Sequence, residues 1–157
     1  MTAPSSTPEQ RLAELGLELP APFPPAADYV PCRTAGGVMY VSGHGPMRDG
    51  KAVYTGKVGA ELDIATGTAS AELTMLNVLA SMKADLGELS RVTGFLRLAV
   101  FINAAPDFQL HHLVADGASK LLTALWGPGA AHARFAVGMT SLPFSIATEI
   151  EAVALVR

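Results

Sequence analysis

The chain predicts an α+β domain, a β-sheet covered on one face by two long helices and preceded by a short helical appendage. Three observations predict it. Segments of strand and helix character follow one another in the order β-β-β-α-β-α-β-β. Both long helical segments carry a broad apolar side that is easier to bury on a sheet than to leave in water. The length, 157 residues of which 50% are hydrophobic, suffices for one core with little room for a second.

The elements follow in order. Thr7-Pro8-Glu9-Gln10 opens a short helix: Thr7 caps it, Pro8 suits the first helical position, and Gln10 completes a capping box. The helix ends near Gly16, with Leu12 and Leu15 as a small docking edge. Pro20, Pro22, Pro24 and Pro25 then impose an extended connector. Residues 1–28 are therefore expected as an appendage wrapped across a main domain of residues 29–157.

Tyr29 to Thr34 and Val38 to Ser42 read as the first strands, turned at Gly36-Gly37. A third short strand is expected at Ala52 to Tyr54. Thr66 to Leu86 is the first long helix, terminated by Gly87 in a left-handed conformation. Val92 to Ile102 is a central strand, interrupted by Arg97, which marks an edge, a subunit contact or a cleft. Asp107 starts the second long helix, running to about Leu125, and Trp126 serves packing. Gly127-Pro128-Gly129 leads into His132-Ala133-Arg134-Phe135-Ala136-Val137-Gly138-Met139, continued through Leu142-Pro143 to Glu149-Ile150-Glu151 as two more strands. The sheet face away from the helices keeps apolar residues exposed in a single copy, so association through a sheet face or edge is expected.

Composition excludes several function classes. Only 16% of residues are charged, against roughly 25% in ordinary soluble domains. The net charge is −3 and no basic cluster is interleaved with aromatics, so a nucleic-acid partner is disfavoured while a local anion site is not. Cys32 stands alone and makes neither an intrachain disulfide nor a thiolate metal site. No apolar run reaches the 18 residues of a membrane span, and the first 25 residues lack a signal-peptide core. Cytoplasm is the expected location.

Candidate chemistry is concentrated near the end of the chain. Alternation sets Arg134, Ala136 and Gly138 on one side of their strand, with Phe135, Val137 and Met139 on the other. Small neighbours leave room beside Arg134, whose planar guanidinium can grip a carboxylate through two bonds. The same arginine would equally serve an Arg–Glu structural pair at a subunit boundary. Glu149 and Glu151 share one side of theirs, either for proton transfer or as a solvated face. His44, His111, His112 and His132 make no metal motif, since His111 and His112 point about 100 degrees apart on a helix and neither has a partner at i+4. Gly56-Lys57-Val58-Gly59 matches neither phosphate-loop nor dinucleotide spacing, and G-x-S-x-G is absent. No metal and no cofactor are expected.

Taken together, Val41-Ser42-Gly43-His44, His132 to Gly138, Leu142-Pro143 and Glu149-Ile150-Glu151-Ala152 resemble the RidA (YjgF/YER057c/UK114) family over about Tyr29 to Val156. Gly56-Lys57-Val58-Gly59 and Asn77-Val78-Leu79-Ala80 resemble its longer subgroup, whose function is less settled. The resemblance implies a chorismate-mutase-like mixed sheet and a homotrimer with clefts between subunits. It implies an enamine/imine deaminase in which Arg134 binds the substrate carboxylate and Glu149 orients water. It further implies that Tyr29, Ser42, Gly43 and His112 line the ligand site. Departures are visible: the family's cleft cysteine falls at Ala136, its helix asparagine at His112 and the glutamine after Ser-Gly at His44. The alternative is a noncatalytic small-carboxylate-binding or trimeric interaction protein, with RNA cleavage a weaker third reading.

Overall fold

The structure is a computed structural model and describes residues 6–157. Its sheet has the strand order β1-β2-β7-β5-β6, formed by β1 (Cys32–Ala35), β2 (Val38–His44), β5 (Val92–Asn103), β6 (Ala133–Met139) and β7 (Thr148–Val156). β3 (Met47–Arg48) and β4 (Lys51–Ala52) make a separate two-stranded ribbon. Every pairing is antiparallel except that of β5 with β6. A parallel pair needs a crossover, and α3 (His111–Trp126) supplies it.

Helix α2 (Ile64–Leu86) starts two residues before the position expected, because Asp63 is its N-cap and accepts from the Thr66 amide at 2.8 Å. It ends as expected at Gly87, whose φ is 88°. Nearly every residue from Gly67 to Met82 has little exposure, since α2 touches both the sheet and α3. At the α2–α3 crossing the backbones meet, and a Cβ on Gly117 would collide with the Thr68 carbonyl. The core between the layers is built from Met39, Val41, Leu98, Val100, Ile102 and Ile150 of the sheet against Met75, Leu79, Met82, Leu122 and Leu125.

Several expected boundaries move. α3 begins at His111, not Asp107: the Phe108 amide donates to the Ala105 carbonyl in a preceding turn, and the Phe108 ring packs on Gly59 and His111. Side-chain packing there outweighs the capping tendency of an aspartate. The first strand starts at Cys32, and Tyr29 lies in the connector before it. The third strand shifts to a ribbon around Asp49 and Gly50, both at positive φ, which is the turn a two-residue hairpin favours. Arg97 lies on an interior strand, paired with Glu151 at 2.6 Å on the sheet face away from the helices. Arg97 is exposed and Glu151 partly so, and the pair contributes at most about 1 kcal/mol.

The short helix α1 (Pro8–Glu14) has the expected capping box of Thr7 and Gln10. Glu9 accepts from the Leu89 amide at 2.6 Å, Arg11 donates to the Ala124 carbonyl at 3.1 Å, and Leu12 is buried. Leu15 is 52% exposed and takes no part in docking. Trp126 is a packing residue, edge-on to Phe95 with its Nε1 donating to the Val92 carbonyl. On the open face, Tyr40, Phe135, Val137, Met139 and Leu155 remain exposed.

Candidate functional site

The site grows from an irregularity in β2. Val41 pairs with Ala152 and His44 with Ile150, so β2 advances three residues while β7 advances two. This is a bulge, the usual device for turning residues out of a ladder. Ser42 and Gly43 are the residues turned out. The Ser42 amide donates to the Pro31 carbonyl at 2.8 Å, and its hydroxyl donates to the Val30 carbonyl at 2.7 Å. Ser42 thereby fastens the proline-rich connector, and its oxygen retains acceptor capacity.

His44 stands behind the bulge. Its Nδ1 lies 2.6 Å from the Ser42 carbonyl, which can only accept, so Nδ1 carries the proton. Nε2 then accepts from the Ser81 hydroxyl at 2.7 Å. Burial holds the imidazole pKa below its ordinary value, with the bond to Ser42 opposing. His44 is a neutral brace between β2 and α2.

Glu149 faces the bulge from β7. Its neighbour Thr148 is anchored on the opposite face by the Ser70 and Thr74 hydroxyls at 2.6 and 2.8 Å, which fixes the strand beneath the carboxylate. A Cβ on Gly43 would overlap Glu149 Oε1 and lie 3.1 Å from Glu149 Cδ. Glycine is therefore required here for close approach. Burial raises the Glu149 pKa above the ordinary carboxyl range, and among the described residues no ion pair offsets it.

Gly43 and Glu149 open into a cavity of about 460 Å³, which Tyr29 and Ser42 also line. Its remaining walls include Phe23, Pro24 and Pro25 from the connector, Asn77 from α2, and Phe144 and Ile146 from the loop before β7. Sequence reasoning did not place these six at the site. An asparagine set between Leu76 and Val78 in the buried middle of α2 was the one available signal among them. A second cavity of about 360 Å³ includes Lys57, His111, Gly138 and Thr140; there the Lys57 ammonium donates to Asn103 Oδ1 and the Thr140 carbonyl.

Arg134 lies elsewhere. It sits on the edge strand β6 and faces α3, whereas Glu149 faces away from the helices. Its Nη1 donates to Asp116 Oδ1 and Ser119 Oγ, each at 3.0 Å, and its Nη2 donates to the His112 carbonyl at 3.2 Å. The His112 side chain itself is exposed. Within one chain, then, Tyr29, Ser42, Gly43 and Glu149 come together, while Arg134 and His112 form a separate group two strands away. Among the described residues no group of three or more His, Cys, Asp or Glu is arranged to hold a metal ion, and no helix is long and apolar enough to cross a membrane.

The five-stranded mixed sheet, its two covering helices and the bulge-centred cavity define an α+β protein of the YjgF-like fold. Residues 9–152 match the family described as "YjgF/chorismate mutase-like, putative endoribonuclease", and the chain belongs to that family. Protein TCP17 of Trypanosoma cruzi is 41% identical over 142 residues, covering 90% of this chain and 89% of that protein. The crystal structure of Atu1372 from Agrobacterium tumefaciens, a protein of unknown function, superposes with a TM-score of 0.90 at 43% identity, covering 96% of this chain and 92% of that one. That of a "putative endoribonuclease" from Shewanella oneidensis gives 0.93 at 32% identity, covering 96% and 100%.

Proposed function

We propose that this protein hydrolyses reactive enamines and imines bearing a carboxylate, releasing a 2-oxo acid and ammonia. The observation that carries this reading is the half-buried Glu149 carboxyl, set against Gly43 at the wall of a cavity large enough for a small organic acid. A carboxyl of raised proton affinity suits both directions of transfer. In its ionised form Glu149 accepts a proton from water as the water oxygen bonds to the imine carbon and the C=N electron pair moves to nitrogen. In its acid form it returns that proton to the amine. The resulting carbinolamine collapses as Glu149 takes its hydroxyl proton and passes it to the amine nitrogen, the C=O bond forms, and the C–N bond breaks with its electron pair going to nitrogen, giving ammonia. The catalytic gain comes from holding water and an already electrophilic carbon together.

Arg134 enters this reading through a second copy of the chain. In a homotrimer with clefts between subunits, the β6 edge of one copy would bring Arg134 and His112 to the mouth of its neighbour's cavity. The substrate carboxylate would then take over part of the guanidinium held by Asp116, and the Gly43 amide would assist. Freshly generated 2-aminoacrylate, assayed for ammonia release, tests the reading. Glu149→Gln is expected to lower kcat by 10²–10⁴-fold, and Arg134→Lys to raise KM. Failure of the intact protein to accelerate hydrolysis of several fresh imines would remove the proposal.

The Arg134–Asp116 pair favours a second reading, a noncatalytic carboxylate-binding or trimeric interaction protein in which Arg134 is structural. Under it, Arg134→Lys lowers the melting temperature and leaves ligand affinity unchanged. RNA cleavage has less support, since the cavity has no lysine or arginine in its wall and the net charge is −3.

A further inference from the structure

Arg134 is held by more than its ion pair. Asp116 and Ser119 stand three residues apart on α3 and so share a face, and both accept from Arg134 Nη1 at 3.0 Å. The Asp116 side chain is 36% exposed, and its Oδ2 also lies 3.9 Å from the Lys120 ammonium. A pair so open to solvent fixes a long arginine only weakly.

The Ser119 hydroxyl is braced from behind. His132, just before β6, sets its Nε2 3.0 Å from Ser119 Oγ and its Nδ1 2.7 Å from the Ala130 carbonyl. The direction of each bond follows from the groups themselves. A carbonyl only accepts, so Nδ1 carries the proton, and in the neutral ring Nε2 is left as an acceptor. A guanidinium only donates, so Ser119 accepts from Arg134 and gives its own proton to Nε2. Bonds in such a chain polarise one another, and a hydroxyl that donates accepts more strongly. Arg134, Ser119 and His132 thus form a one-way relay tied to the backbone at Ala130.

These contacts leave part of the fork unspent. A guanidinium has five N–H groups; Nη1 uses two, and Nη2 gives one to the His112 carbonyl at 3.2 Å. Among the described residues the remaining two, on Nε and Nη2, have no hydrogen-bond partner. The side chain is 21% exposed, so a ligand can approach it. Two N–H groups on neighbouring nitrogens are what a carboxylate takes in a bidentate bond.

We infer that Ser119 and His132 are positioning residues, which hold Arg134 with this part of its fork open to a ligand carboxylate. The inference rests on the carboxylate-binding role proposed for Arg134, and the test reads the hold apart from that role. Heteronuclear NMR of the full chain should resolve the Nη signals of Arg134, assigned by their loss in Arg134→Lys, because the bonds hinder rotation of the guanidinium. His132→Phe should average these signals, and His132→Gln, which returns an acceptor near Nε2, should restore them. His132→Phe and Ser119→Ala should each weaken pyruvate binding roughly three- to tenfold, the cost of ordering one long side chain. The double variant should lose no more than either alone, and His132→Gln should recover the affinity. Nη signals unresolved in the unaltered protein or unchanged by His132→Phe, or pyruvate affinity unchanged in both single variants, overturn the inference; pyruvate binding that is lost in Arg134→Lys would still keep the carboxylate role. Signals that respond as expected in a protein that binds no pyruvate support the hold and remove the carboxylate role, and with it the deaminase reading.

Discussion

Adding one methyl group at Gly43 tests the geometry of the site directly. The new Cβ would overlap Glu149 Oε1 and lie 3.1 and 3.3 Å from its Cδ and Cγ. Glu149 cannot retreat with its strand, because β7 is paired on both sides and Thr148 is tied to α2. The side chain must rotate instead, giving up its present packing. Overpacking of this kind costs about 1–3 kcal/mol, and ~2 kcal/mol lowers the melting temperature of a domain this size by about 4–8 °C. The strain needs both partners, so Gly43→Ala in a Glu149→Ala background should cost no more than about 0.5 kcal/mol. Urea denaturation of the four proteins at one protein concentration gives the cycle. An equal cost of Gly43→Ala in both backgrounds would show that the carboxylate does not rest on Gly43, and the site as described would be wrong.

Three further outcomes follow from the same contacts. Burial raises the Glu149 pKa, so its folded form holds a proton more tightly than its unfolded form. Its stabilising contribution is present below the ordinary glutamate value and declines as pH rises through the folded value. Glu149→Gln should flatten that part of the stability profile, and urea midpoints that fall in parallel for both proteins would contradict the assignment. The Cys32 thiol is pushed up to about 12, first by burial and then by Asp85; at pH 8 its alkylation should be on the order of a thousandfold slower than that of a free thiol, and rapid labelling of the folded protein would refute this. Gly117→Ala drives a methyl into the Thr68 carbonyl at the helix crossing and should cost at least about 2–3 kcal/mol. Gly50→Ala meets open space and only a positive φ, and should cost about 1 kcal/mol; a reversal of that order in urea midpoints would contradict the α2–α3 packing.

Local signals were legible wherever the deciding physics is local. The capping box at Thr7 and Gln10 is a contact between residues three apart, and Gly87 ends α2 through its own backbone freedom. Alternation assigned Arg134, Ala136 and Gly138 to one side of β6, and Glu149 and Glu151 to one side of β7. Signals failed where packing from elsewhere intervened. Asp107 looked like the start of the second long helix until Phe108 settled against Gly59, and of the three readings open for Arg97, an edge, a subunit contact or a cleft, the edge fails because β6 and β7 flank its strand.

The sequence by itself determined the order of the elements, the family, and which side chains each strand offers to each side. The elements and faces follow from period, capping and turn chemistry within a few residues, and the family from the resemblance carried by the Ser42-Gly43, His132–Gly138 and Glu149–Ala152 motifs. Only the tertiary structure decided that Arg134 and Glu149 point to opposite sides of the sheet, that Asp116 holds the arginine, and that Phe23, Asn77 and Phe144 wall the cavity beside Gly43. Alternation gives the relative phase of residues on one strand and nothing about the phase between strands. That phase is fixed by the hydrogen-bonded register of β2, β7, β5 and β6 and by the bulge at Ser42 and Gly43, which are products of the packed chain.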